Sequence, residues 1–131
     1  VEGLIELGLL QGDPEQVIAE GEHDKFCPHK TSHWLGLDVH DVGDYRLGEA
    51  WRDLMPGMVL TVEPGIYIPR DDSTADIPEP YRGLGIRIED AVLIQKEGCQ
   101  VLTDALIKDA DDIEARMAAR AGNTDIPRVV A

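Results

Sequence analysis

Three of the four histidines, His29, His33 and His40, fall within the short segment HKTSHWLGLDVHD at 29–41. Two further segments carry carboxylates. VEPGIYIP at 62–69 holds Glu63, and GIRIED at 85–90 holds Arg87, Glu89 and Asp90. Imidazoles and carboxylates on separate stretches, with an arginine beside one of them, are the donors a metal-dependent hydrolase uses. If His33, Glu63 and Glu89 converge, the set is oxygen-rich with one imidazole. Such a set suits manganese, cobalt, zinc or iron better than a thiolate zinc site does. A carboxylate can also bridge two ions about 3.5–4 Å apart, as in two-metal aminopeptidases. That arrangement needs more than three ligands, and no other acid sits in a strand context that plainly supplies the rest.

Each residue also has a plainer reading. Glu63 directly precedes Pro64-Gly65, so it is either a surface residue at a turn or a group fixed at a strand end. Strand alternation over 86–95 puts Arg87 and Glu89 on one face and Ile86, Ile88, Val92 and Ile94 on the other. Arg87 and Glu89 are then either a solvated ion pair or a ligand held beside a cation. Asp90 falls on the apolar face, where alternation gives it no role. The spacing of His29 and His33 would suit a helical metal pair, but Pro28 and Gly36 argue against a helix here.

The elements that must position these groups are partly readable. Residues 1–10 carry apolar side chains near helical spacing and read as a buried helix end. Asp13-Pro14-Glu15-Gln16 is a helix start, with Asp13 as cap, Pro14 in the first turn and Gln16 where a capping-box partner belongs. That helix should stop near Gly21, and residues 22–32 should be irregular. Pro56-Gly57 introduces a strand over Met58–Thr61 that Pro64-Gly65 breaks. Residues 69–83, rich in proline and acids, read as a variable surface loop. Residues 86–95 are the best strand candidate, and Lys96-Glu97-Gly98 turns it into a hairpin with 99–103. Residues 111–120 read as a helix with Ile113 and Met117 on one face, and 121–131 as a loose tail.

At 131 residues the chain fits one domain able to bury a core. The expected division is one unit over 1–120 and the tail over 121–131. A formal net charge of −14 argues against a nucleic-acid partner, whose phosphates need Lys and Arg. No apolar run approaches the roughly 18 residues of a membrane helix, so no membrane partner is expected. Cys27 and Cys99 show no metal-like spacing and suit a reducing, cytoplasmic setting. The opening at Val1, inside an apolar run and without methionine, leads us to expect a piece of a longer or processed chain.

HKTSHWLGLDVHDVGDY, LMPGMVLTVEPGIYIP and YRGLGIRIEDAVLI together resemble the second half of the catalytic domain of bacterial Xaa-Pro aminopeptidases (aminopeptidase P). The likeness covers about residues 1–117, with the three motifs in the family's order and spacing. It implies an α/β (α+β) fold: half of a pita-bread domain, with a curved, mostly antiparallel sheet and flanking helices. It also implies release of an N-terminal residue that precedes proline, using two divalent metal ions, manganese first among them. By position, His33 corresponds to the imidazole ligand, Glu63 to a terminal carboxylate ligand that also manages a proton, and Glu89 to the bridging carboxylate. His40 corresponds to a histidine that contacts substrate, and His29 to one lining the proline pocket. Arg87 and Tyr67 correspond to residues linked to proton movement.

The resemblance departs at Lys30, where the family usually has glycine. It also implies two aspartate ligands from a first half of the domain that has no counterpart here. That half is an expected partner, beside the peptide substrate and further copies of the chain as a homo-oligomer. Two alternatives remain. A prolidase shares the VEPGIY element but is restricted to dipeptides, and a non-catalytic pita-bread module would bind without turnover.

Overall fold

The computed structural model describes residues 1–121. The tail expected at 121–131 lies outside them apart from its first position.

The first helix, α1 (Glu2–Glu6), is shorter than its apolar run. Gly8 takes a left-handed φ of 71° and turns the chain back. The amides of Leu9 and Leu10 then donate to the Leu4 carbonyl at 2.8 and 3.1 Å. Leu4, Leu9 and Leu10 are all buried by this reversal instead of by one long helix. Helix α2 (Pro14–Glu20) begins as expected, with the Asp13 side chain accepting from the amides of Glu15 and Gln16, and ends at Gly21. Gln16 does not close a capping box. Its side-chain amide donates to Glu20 at 2.9 Å instead.

A 3₁₀ turn at Glu22–Lys25 delivers Phe26 to the centre of the core, at 1% exposure. Around it pack Leu4, Leu9, Leu10, Val17, Ile68 and Ile77. Ile77 corrects the expectation of a plain surface loop over 69–83. Ile77 and Thr74 are buried, and the Thr74 hydroxyl donates to the Pro69 carbonyl at 2.7 Å. The Arg82 Nε donates to the Ile77 carbonyl at 2.7 Å.

All ladders among the described residues are antiparallel. A short hairpin, β1 (Arg46–Leu47) with β2 (Ala50–Trp51), went unnoticed in the sequence. Strand β3 (Val59–Val62) pairs with β6 (Asp90–Ile94), which pairs with β7 (Cys99–Val101). Strand β4 (Gly65–Tyr67) pairs with β5 (Gly85–Arg87). The strand expected over 86–95 is therefore two strands, and the cause lies on its neighbour. Val62 faces Asp90 and Gly65 faces Arg87, so one register runs through the gap and sets Pro64 opposite Ile88. The Ile88 amide donates to the Pro64 carbonyl at 3.2 Å. The return bond cannot form, because proline has no N–H.

Residues 31–35 line the other edge of β3. The amides of Glu63 and Thr61 donate to the carbonyls of Thr31 and His33, and the Leu35 amide to Val59. Helix α3 (Ala110–Ala121) follows, with Ile113 and Met117 exposed. Among the described residues no helix is long and apolar enough to cross a membrane.

Candidate metal centre

The register settles which side chains share a face, because directly opposed residues in an antiparallel pair point the same way. Continued through the gap, it sets Glu63 opposite Glu89. Thr61 is opposite His33 on the other edge, one step along from Glu63. His33, Thr61, Glu63, Tyr67, Arg87 and Glu89 therefore face one side, while Leu60, Ile66, Ile86, Ile88 and Val92 face the other. His29 and His33 lie on irregular chain and not on a helix. The hydrogen-bonded pairs fall on Pro64–Ile88 and Met58–Ile94. Glu63 and Glu89 thus form the closer, non-hydrogen-bonded type of pair, with Cα atoms about 4.5 Å apart.

Glu63 is buried, at 6% exposure. Its Oε1 accepts from the Thr61 hydroxyl at 3.2 Å and lies 3.3 Å from His33 Nε2. Its Oε2 lies 3.3 Å from Arg87 Nη1. His33 Nδ1 is 2.9 Å from the Trp34 carbonyl, which can only accept, so Nδ1 carries the proton. In the neutral ring the Nε2 lone pair then faces a carboxylate oxygen. Either a proton on Nε2 or a metal ion shared by the two atoms satisfies this contact, and a metal-binding histidine is oriented by such a carbonyl bond. This pair fits a metal ion. Glu89 joins it through shared face and register alone. Among the described residues no three His, Cys, Asp or Glu side chains already form a group able to hold an ion.

A directed chain of bonds runs along the same face. Arg87 Nε donates to the Tyr67 hydroxyl at 2.7 Å. His29 Nδ1 donates to the Lys30 carbonyl at 2.8 Å, which leaves Nε2 to accept from Tyr67 at 3.0 Å. The bond to Tyr67 is the main reason that the Arg87 guanidinium is held above its ordinary value, and Glu63 and Glu89 add to it. His40 packs edge-on against His33, with ring centroids 4.5 Å apart. The Lys30 side chain turns away, its Nζ 5.7 Å from the Tyr45 ring centroid. Lysine in place of glycine therefore alters the Tyr45 side and leaves the carbonyl that orients His29.

Two residues of this face escaped sequence reading. Thr61 was visible only as a polar residue two before Glu63, on the same face of a strand otherwise apolar. Gly65 faces Arg87, and a Cβ there would stand 2.6 Å from the Tyr67 hydroxyl and 2.9 Å from His29 Nε2. Gly65→Ala is therefore expected to push Tyr67 and His29 apart and cost about 1–3 kcal/mol by overpacking. Urea unfolding measures it, and a change below about 0.5 kcal/mol would show that the contact relaxes freely.

Residues 6–96 match the pattern of Metallopeptidase family M24. The chain is 53% identical over 119 residues to an Xaa-Pro aminopeptidase of Escherichia coli (strain K12), covering 91% of this chain and 26% of that protein. Among solved structures, aminopeptidase PepP of Pseudomonas aeruginosa superposes with a TM-score of 0.86 at 50% identity, covering 93% of this chain and 27% of that one. A zinc-substituted E. coli aminopeptidase P in complex with product superposes with a TM-score of 0.80 at 53% identity, covering 90% and 26%. The chain thus spans about a quarter of the length of these relatives.

Proposed function

Because the chain belongs to metallopeptidase family M24 and has part of its pita-bread fold, we propose that the whole protein is an Xaa-Pro aminopeptidase. The observation that carries this reading is the facing pair Glu63 and Glu89 with His33 Nε2 turned toward Glu63. Identity of 53% to an Xaa-Pro aminopeptidase supports the choice of substrate. His33, Glu63 and Glu89 would hold divalent metal ions, with manganese as the expected metal. When bound, such ions polarise the scissile carbonyl and make water nucleophilic near neutral pH.

The chain's own residues supply the rest. Glu63, buried and hydrogen-bonded by Thr61, takes the proton released by water as a general base. The Thr61 bond holds Oε1 beside His33 Nε2. His40, packed on His33, meets the substrate where negative charge develops on the carbonyl oxygen. Arg87 and Tyr67 form a donor chain to His29 that positions the ring against the proline of the substrate. Further copies of the chain, and the polypeptide that completes the domain, are the proposed macromolecular partners.

The test is a matched pair of tripeptides. The complete protein with manganese is expected to cleave Xaa-Pro-Ala about a hundredfold better than Xaa-Ala-Ala, a ratio that pocket shape can supply. Equal kcat/KM for the two would defeat the proline assignment. Cleavage of dipeptides alone would move the protein to the prolidases.

A further inference from the structure

One acid of the GIRIED segment has no part in the site above. Asp90 follows Glu89 directly but lies on the opposite face, across from Val62. A carboxylate among apolar neighbours needs partners, and Asp90 has them. The Thr103 hydroxyl donates to Asp90 Oδ1 at 2.5 Å, and Lys108 Nζ lies 3.0 Å from the same oxygen. The Thr103 oxygen also accepts from the Ala91 amide at 3.2 Å. Lys108 Nζ reaches the Thr103 and Leu106 carbonyls at 3.1 and 3.2 Å. The Leu102 amide donates to the Ala91 carbonyl at 2.8 Å. These bonds prolong the β6–β7 ladder beyond Val101 and close it at the end where β6 emerges from the Pro64 gap.

We infer that the Asp90–Thr103–Lys108 cluster is a positioning device for Glu89. Pro64 removes one of the two bonds of its pair with Ile88, so on the N-terminal side of Glu89 that pair is held by the Ile88 amide alone, while the Val62–Asp90 pair flanks Glu89 on the other side. The cluster grips the next residue from the other side of the sheet. Glu89 must stay opposite Glu63 to share ions with it, and a loosely held backbone would blur that geometry. Groups that orient metal ligands typically contribute 10- to 100-fold in metal affinity. The inference rests on the proposed metal centre, because it assigns the cluster to the seating of a proposed ligand.

The test uses the complete protein, freed of metal, and manganese ions added in a calorimeter. Thr103→Val and Lys108→Met are each expected to weaken manganese binding about tenfold, while Thr103→Ser retains wild-type affinity. Hydrogen exchange at the Ala91 amide, which donates to the Thr103 hydroxyl, should quicken in both weakened variants before metal is added. A cluster that served stability alone would lower the unfolding midpoint and leave the folded protein's manganese affinity unchanged. That result in both variants overturns the inference, provided Glu89→Gln weakens binding in the same assay. If Glu89→Gln binds manganese like wild type, the ligand set itself fails, and the inference falls with it. Should Thr103→Val not fold, Lys108→Met decides alone.

Discussion

Glu89→Gln in the complete protein is expected to lower kcat/KM for an Xaa-Pro peptide about a thousandfold, or ~4 kcal/mol of transition-state stabilisation. The fold sets two carboxylates against each other. Glu63 and Glu89 are opposed in a close, non-hydrogen-bonded pair on one face. Like charges so placed destabilise a sheet unless a cation lies between them. Glutamine keeps the size and removes the charge, so the two states of the protein should respond with opposite signs. Without metal, the variant should unfold at a higher midpoint than wild type because the repulsion is relieved. With manganese, it should bind less metal and turn over poorly. Calorimetry of both forms and steady-state kinetics check the pattern. A variant within tenfold of wild-type kcat/KM at full metal content would remove Glu89 from the centre.

Chain 1–131 alone is expected to show no Xaa-Pro turnover above a manganese blank. Among its described residues no three ligand side chains form a ready group, and it spans 26% of an E. coli relative. His33 and Glu63 could still hold one ion weakly, since their geometry is local. The face opposite the centre adds a second expectation. Ile66, Ile86 and Ile88 are 42, 63 and 49% exposed. With Val1, Leu4 and Leu7 they line an apolar groove of about 630 Å³. An uncovered apolar surface of this kind drives association, so light scattering should find the isolated chain as dimers or larger species. Sustained proline-dependent turnover by a monomer of this length would contradict both halves of the argument.

The legible parts of this protein were those in which neighbouring residues act on one another. Asp13 and Gly21 bound α2 through bonds within a few residues, so the sequence showed both ends. Alternation placed Arg87 and Glu89 on one face because a strand has period two, and the ladder bears this out. The break between β5 and β6 was hidden because Pro64, more than twenty residues away in the chain, causes it from across the sheet. Phe26 was unreadable as the core's centre, since a lone aromatic in an irregular stretch has no periodicity to announce it. Asp90 stood out only as an exception to a pattern. Its partners, Thr103 and Lys108, arrive through the β6–β7 hairpin, and nothing near Asp90 in the chain points to them. His29, His33 and His40 were conspicuous as a cluster. The directions of the His29 and His33 rings, fixed by the carbonyls of Lys30 and Trp34, belong to the backbone path alone.

The unbroken register across the Pro64 gap also determines which changes of chain length this fold can absorb. Residues gained or lost between Tyr67 and Gly85 change the excursion that joins β4 to β5, while the ladders on either side keep Glu63 facing Glu89. One residue added between Arg87 and Asp90 has the opposite effect. With period two, it sends every side chain on one side of the insertion to the other face, and Glu89 parts from Arg87 or from its place opposite Glu63. The stretch from Arg87 to Asp90 is therefore a fixed ruler, and its length matters to the centre as much as its composition does.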